Sequence, residues 1–71
     1  MLKVREVIAI LRAHEFELKD QKGSHRQYEG FVGGLRRIVT ISQQDGEDVA
    51  PKLFGYIKRQ SGLPKRVFRR R

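Results

Sequence analysis

The chain contains no cysteine among its 71 residues, which excludes both a disulfide framework and a thiolate metal site. It also lacks any apolar run near the roughly 18 residues that a membrane-spanning helix requires. The opening segment from Met1 to Glu6 is interrupted by Lys3 and Arg5, unlike the apolar core of a signal peptide. These absences lead us to expect a cytoplasmic protein with no membrane partner. Length is the next limit. At 8.3 kDa the chain makes a single domain over residues 1–71. A domain this small buries only about 60% of its unfolded surface, so it suits a shallow site without a cofactor better than a deep enclosed one.

Acidic residues are scarce: eight Asp and Glu face sixteen Lys and Arg, a net charge of +8. The imbalance is one-sided, with six cations against five anions in residues 1–35 and ten against three in residues 36–71. Such an excess attracts polyanions, nucleic acid before membrane, because each neutralised phosphate releases counterions. A surface built only for solubility needs no such asymmetry.

What the chain does have is clear periodicity. Val4, Val7, Ile8 and Leu11 follow helical spacing and predict an amphipathic helix over about 3–14, although no Ser, Thr or Asp stands at its start to cap it. Phe16-Glu17-Leu18-Lys19-Asp20 alternates as a half-buried strand does, over about 15–21, and Lys22-Gly23-Ser24 then reads as a turn. Strands over about 25–31 and 35–42 are joined by Gly33-Gly34, whose freedom at positive φ suits a two-residue hairpin turn. That turn pairs Val32 with Leu35, Tyr28 with Val39 and His25 with Ser42. Tyr28, Val32, Leu35, Val39 and Ile41 then share the apolar face with Arg26 and Arg37, whereas His25, Gln27, Glu29, Phe31, Arg36 and Ile38 share the polar one. Gly30, close to the glycine pair, leaves room for a bulge. A second helix is expected over about 48–61, capped by Asp48 with Pro51 in its first turn and closed by Gly62-Leu63-Pro64. A basic tail follows over 64–71, with Val67 and Phe68 able to dock.

The order is helix, three strands, helix. This order, Phe16 at the start of the first strand, Gly23-Ser24-His25 opening the second and a closing Ile57-Lys58-Arg59-Gln60-Ser61-Gly62-Leu63 together resemble the HicA, or YcfA-like, toxins of toxin–antitoxin systems. The resemblance covers about residues 2–68. It implies an α+β fold like that of double-stranded-RNA-binding domains, a three-stranded antiparallel sheet with two helices on one face. It also implies a type II toxin acting as an mRNA interferase, with mRNA as substrate and a HicB-like antitoxin as partner. The family's active histidine falls on His25, and its Gly-Ser turn on Gly23 and Ser24. Many members place a second histidine directly after the first, where this chain has Arg26.

Histidine trades protons near neutral pH, and a metal-independent ribonuclease needs such a group, because RNA carries its own 2′-hydroxyl nucleophile. Neither His25 nor His14 has carboxylates or cysteines at ligand spacing, so a metal site is not expected. His14 suits a helix C-terminus. Arg36 shares the predicted face of His25 and is the candidate for stabilising the phosphate, with Arg26 adjacent in sequence. Lys58, Arg59, Lys65 and Arg66 are candidate RNA contacts, and Phe31 either stacks on a base or covers the neighbouring strand. Two readings compete with the nuclease. In one the chain is a weak or inactive RNA-binding module held by an antitoxin; in the other its main partner is the antitoxin itself and the basic surface is the docking face. His25 on its own reads equally as a solvated strand residue.

Overall fold

The computed structural model describes residues 1–69. In chain order its elements are α1 (Val4–Ala13), β1 (Glu17–Lys22), β2 (His25–Val32), β3 (Leu35–Ile41), α2 (Pro51–Ser61) and a short 3-10 turn, Lys65–Val67. The strands form one antiparallel sheet in the order β1-β2-β3. Val4, Val7 and Leu11 of α1 and Ile57 of α2 share a core with Tyr28, Val39 and Ile41, all from one face of the sheet. Both helices therefore cover the same face, as the α+β expectation requires, and leave the other open.

The hairpin register follows from its turn. Gly33 and Gly34 have φ of 60° and 80°, the doubly positive pattern of a type I′ turn. Val32 then pairs with Leu35, Tyr28 with Val39 and Arg26 with Ile41, without interruption. The space at Gly30 is used differently from the expected bulge. The ring of Phe16 packs where a Gly30 side chain would project, with ring atoms 2.7–2.8 Å from the position of a Cβ. The irregularity falls instead on β1, between Leu18 and Asp20.

β1 also departs from the half-buried pattern: every residue from Glu17 to Lys22 is exposed, and Leu18 keeps half of its surface. It is an edge strand, and the buried sheet residues all lie on β2 and β3, so the helices do not cover it. Its bulge and its charges suit an edge that must not pair with another chain. Phe16, fully buried, belongs to the connection before the strand. That connection closes α1 as a Schellman motif, in which the Phe16 and Glu15 N–H groups donate to the Leu11 and Arg12 carbonyls at 2.9 and 3.0 Å. Glu15 takes the left-handed position at φ 67°, where glycine is usual.

The missing cap of α1 is supplied from far along the chain. The N–H groups of Val4 and Arg5 donate to the carbonyls of Glu47 and Asp45, at 2.9 and 3.1 Å, and Glu6 accepts the Lys3 N–H at 2.8 Å. Asp48 is drawn into the same junction through an ion pair with Lys3 at 2.7 Å, and it does not cap α2. That helix starts at Pro51, after an extended Ala50 with ψ 158°. Proline disfavours helical geometry in the residue before it, so a start at 48 is sterically opposed. At its other end Gly62 adopts φ 71°, Leu63 is buried and Pro64 ends the helix, as expected. Phe68 docks edge-on against Phe54 with ring centroids 5.5 Å apart.

Candidate active site

His25 is the first residue of β2, directly after the turn that joins it to β1. Gly23 has φ 57° and Ser24 a negative φ, so only the first turn position needs left-handed backbone, the pattern of a II′ turn. The side chain of Gln21 braces this turn by donating to the Gly23 carbonyl at 3.1 Å. Gly23 and Ser24 thus set the start of β2, and strand alternation directs His25 to the open face, with Gln27, Glu29 and Phe31. The imidazole is exposed, and no described residue hydrogen-bonds it.

The cation brought nearest by pairing is Lys22, the Cα partner of His25 across the turn. Directly opposed residues on adjacent strands have Cβ atoms about 5 Å apart, within reach of one phosphate group. Sequence reasoning placed Lys22 in the turn and missed it. The signal was present, since a two-residue turn sets its flanking residues face to face.

Arg36 does share the open face, but it pairs with Phe31, six residues along β2 from His25. At about 3.3 Å per residue that is roughly 20 Å, too far for one phosphate to bridge. Arg36 is also committed elsewhere. Its Nε donates to Glu29, which Lys19 approaches at 3.2 Å, and the two cations hold the Glu29 carboxyl below its ordinary range, Arg36 most strongly. Arg26 points away from His25. Its guanidinium donates to the Gln43 carbonyl at 3.0 Å and pairs with Asp45 at 2.8 Å, which clamps the 42–50 loop against the sheet. A shallow depression of about 160 Å³, lined by Gln21, Ser24, Arg26, Ser42, Gln43 and Gln44, lies beside that clamp.

The basic candidates on the second half of the chain fall into two groups. Lys58 stands over the Phe54 ring at 5.3 Å, and Phe54 lines one groove with Lys65 of the tail, where Lys65 and Arg66 are exposed. Arg59, one residue later, lies on the other flank of α2, because each helical residue turns by about 100°. That flank adjoins β3 through Gln60, whose side chain accepts the Thr40 N–H at 3.0 Å and donates to the Tyr56 hydroxyl at 2.9 Å. None of these cations touches His25. Arg70 and Arg71 lie outside the described residues.

Among the described residues no three His, Asp or Glu side chains gather as a metal site, and no helix is long and apolar enough to cross a membrane. No curated protein and no solved structure matches the chain significantly. The family model described as the HicA toxin of bacterial toxin–antitoxin systems does match, over residues 4–63, which take in every strand and both helices. The α-β-β-β-α order, the uncovered sheet face and this match agree, and the chain belongs to the HicA toxin family.

Proposed function

We propose that this toxin is a metal-independent mRNA interferase in which His25 is the general acid–base. The carrying observation is an accessible, unpartnered imidazole on the uncovered sheet face, with Lys22 directly across from it. In this reading neutral His25 accepts the proton of a ribose 2′-hydroxyl. The resulting oxygen attacks the adjacent phosphorus, and the bond to the 5′-oxygen breaks. The imidazolium then returns the proton to that leaving oxygen, so the products end in a 2′,3′-cyclic phosphate and a 5′-hydroxyl. Lys22 supports charge on the non-bridging oxygens as the phosphorane forms. One positioned imidazole supplies about 10²–10⁴-fold, which suits a toxin that needs only a few cuts per message.

Family membership supports a toxin paired with an antitoxin, and a HicB-like protein in the cytoplasm is the partner we propose. The test is end-group analysis of RNA incubated with purified protein in excess EDTA. Cyclic-phosphate and 5′-hydroxyl ends are expected from the wild type and not from His25→Ala. Cleavage that EDTA abolishes, or that survives His25→Ala, sinks the assignment.

One observation favours the alternative of an RNA-binding module held by an antitoxin. The position after His25, where many relatives carry a second histidine, holds an arginine locked to Asp45 on the opposite face. Its mark is salt-dependent RNA binding with no products at any protein excess.

A further inference from the structure

The open face that holds His25 cannot by itself attract a polyanion. Lys19, Lys22 and Arg36 on or beside it are matched by Glu17, Asp20 and Glu29, and Glu29 engages two of the three cations. The positive charge of the second half lies elsewhere. α2 contains Lys52, Lys58 and Arg59 and no acidic residue. On a helix, Lys52, Gly55, Tyr56 and Arg59 stand at i, i+3, i+4 and i+7 and form one face. Lys52, Tyr56 and Arg59 are all exposed, and neither cation has a partner among the described residues. Gly55 leaves open space beside them, since a Cβ there would meet nothing within 4 Å.

Tyr56 differs from an ordinary surface tyrosine. Its hydroxyl is held by Gln60, and the other end of the Gln60 amide takes the Thr40 N–H at the outer edge of β3. The ring is thus anchored to the sheet while 41% of the residue stays exposed. Thr40 pairs with Gln27, two residues from His25 along β2. One strand spacing and two residues of rise make that step about 8 Å. The Gln60 side chain then spans the gap from Thr40 to α2, and one helical turn from Gln60 back to Tyr56 adds about 5–6 Å more. The flank therefore lies within a few nucleotides of the imidazole, over the edge of β3.

Resting on the RNA-cleaving reading above, we propose that the Lys52–Tyr56–Arg59 flank of α2 carries a single-stranded RNA substrate to His25. Lys52 and Arg59 neutralise its phosphates, and Tyr56 offers a fixed ring on which one unpaired base stacks. The occupant is argued from charge, since this face is cationic and the open sheet face is balanced. Stacking tolerates any base, so the flank gives affinity and register without sequence choice.

The test measures fluorescence anisotropy of a short labelled single-stranded 2′-O-methyl RNA, which lacks the nucleophile and stays intact with the wild-type chain. Tyr56→Ala is expected to weaken binding roughly five- to hundred-fold, and Tyr56→Phe, which keeps the stacking ring and loses only its hydroxyl anchor, to weaken it less. The double variant Lys52→Ala/Arg59→Ala is expected to flatten the slope of log affinity against log salt by about 1.4, or 0.7 per contact. Both positions are exposed, so this variant carries the test if Tyr56→Ala loses its helical circular dichroism. Wild-type binding that neither Tyr56→Ala nor the double variant changes overturns the proposal and leaves the role of His25 standing. Absence of any RNA binding by the wild type overturns both. Loss of antitoxin binding in Tyr56→Ala with RNA binding intact makes the flank a protein-docking face, and it too overturns the proposal.

Discussion

Replacing Gly30 with alanine tests the packing that holds the site-bearing strand in place. Gly30 is buried in the middle of β2, and an added methyl group would lie 2.7–2.8 Å from three ring atoms of Phe16. Ordinary contact begins near 3.4 Å, so the ring must retreat by about 0.7 Å. Phe16 is fully buried at the junction of α1 and the sheet, and its ring is stopped by the surrounding core. Overpacking of this kind costs about 1–3 kcal/mol. Loss of glycine freedom in the unfolded chain returns about 0.5–1 kcal/mol, leaving a net loss of up to about 2.5 kcal/mol, centred a little above 1 kcal/mol. At about 4–8 °C per kcal/mol in a domain this small, the central value lowers Tm by roughly 5–10 °C, read by thermal circular dichroism. Gly55→Ala is the matched control. It lies inside α2 with open space around it, so the same substitution should raise stability, by about 0.5–1 kcal/mol. If Gly30→Ala melts at or above the wild-type temperature, the close approach of Phe16 to β2 is wrong.

Three more expectations follow from single contacts. Glu15→Gly relieves the left-handed backbone that closes α1 and should stabilise the fold by about 0.5–1 kcal/mol in urea unfolding; a loss would contradict the Schellman reading. Arg26→Ala frees the 42–50 loop that caps α1, and should cost about 1–2 kcal/mol and raise amide exchange at Val4 and Arg5. Glu29 titrates below its ordinary value of 4.5 because Arg36 and Lys19 hold its charged form. A lowered native pKa means its contribution is present above the unfolded value and lost as pH falls through the lowered one. Glu29→Gln should therefore flatten the acid limb of the stability profile, and an NMR titration of the Glu29 carboxyl at or above 4.5 would refute the pairing.

Much of this fold can be read locally. Gly33-Gly34 dictates a turn, the turn dictates a register, and the register alone puts His25 and Arg26 on opposite faces. Gly62-Leu63-Pro64 ends α2 for equally local reasons. What escapes the sequence depends on distant partners. Asp48 has the right chemistry for a helix cap, yet Lys3, far away in the chain, takes it while Pro51 blocks the early start. The alternation in β1 predicts a buried side, but burial depends on helices that do not reach the edge strand. Arg36 shares a face with His25 as the pattern says, and only strand length shows how far apart they stand. Lys22 was hidden by the opposite error, a strand residue taken for part of a turn. Tyr56 carried no motif, and its anchoring through Gln60 to Thr40 exists only in three dimensions.

The central claim is that the imidazole of His25 performs the toxin's chemistry from the open face of the sheet. The most direct test is induced expression of the wild type beside His25→Ala in cells lacking the antitoxin, with growth and bulk mRNA integrity followed together. The exposed position of His25 predicts that the variant accumulates and folds as the wild type does. Growth arrest and mRNA decay are expected with the wild type and absent with His25→Ala. Arrest and decay that persist undiminished in the folded variant would contradict the account.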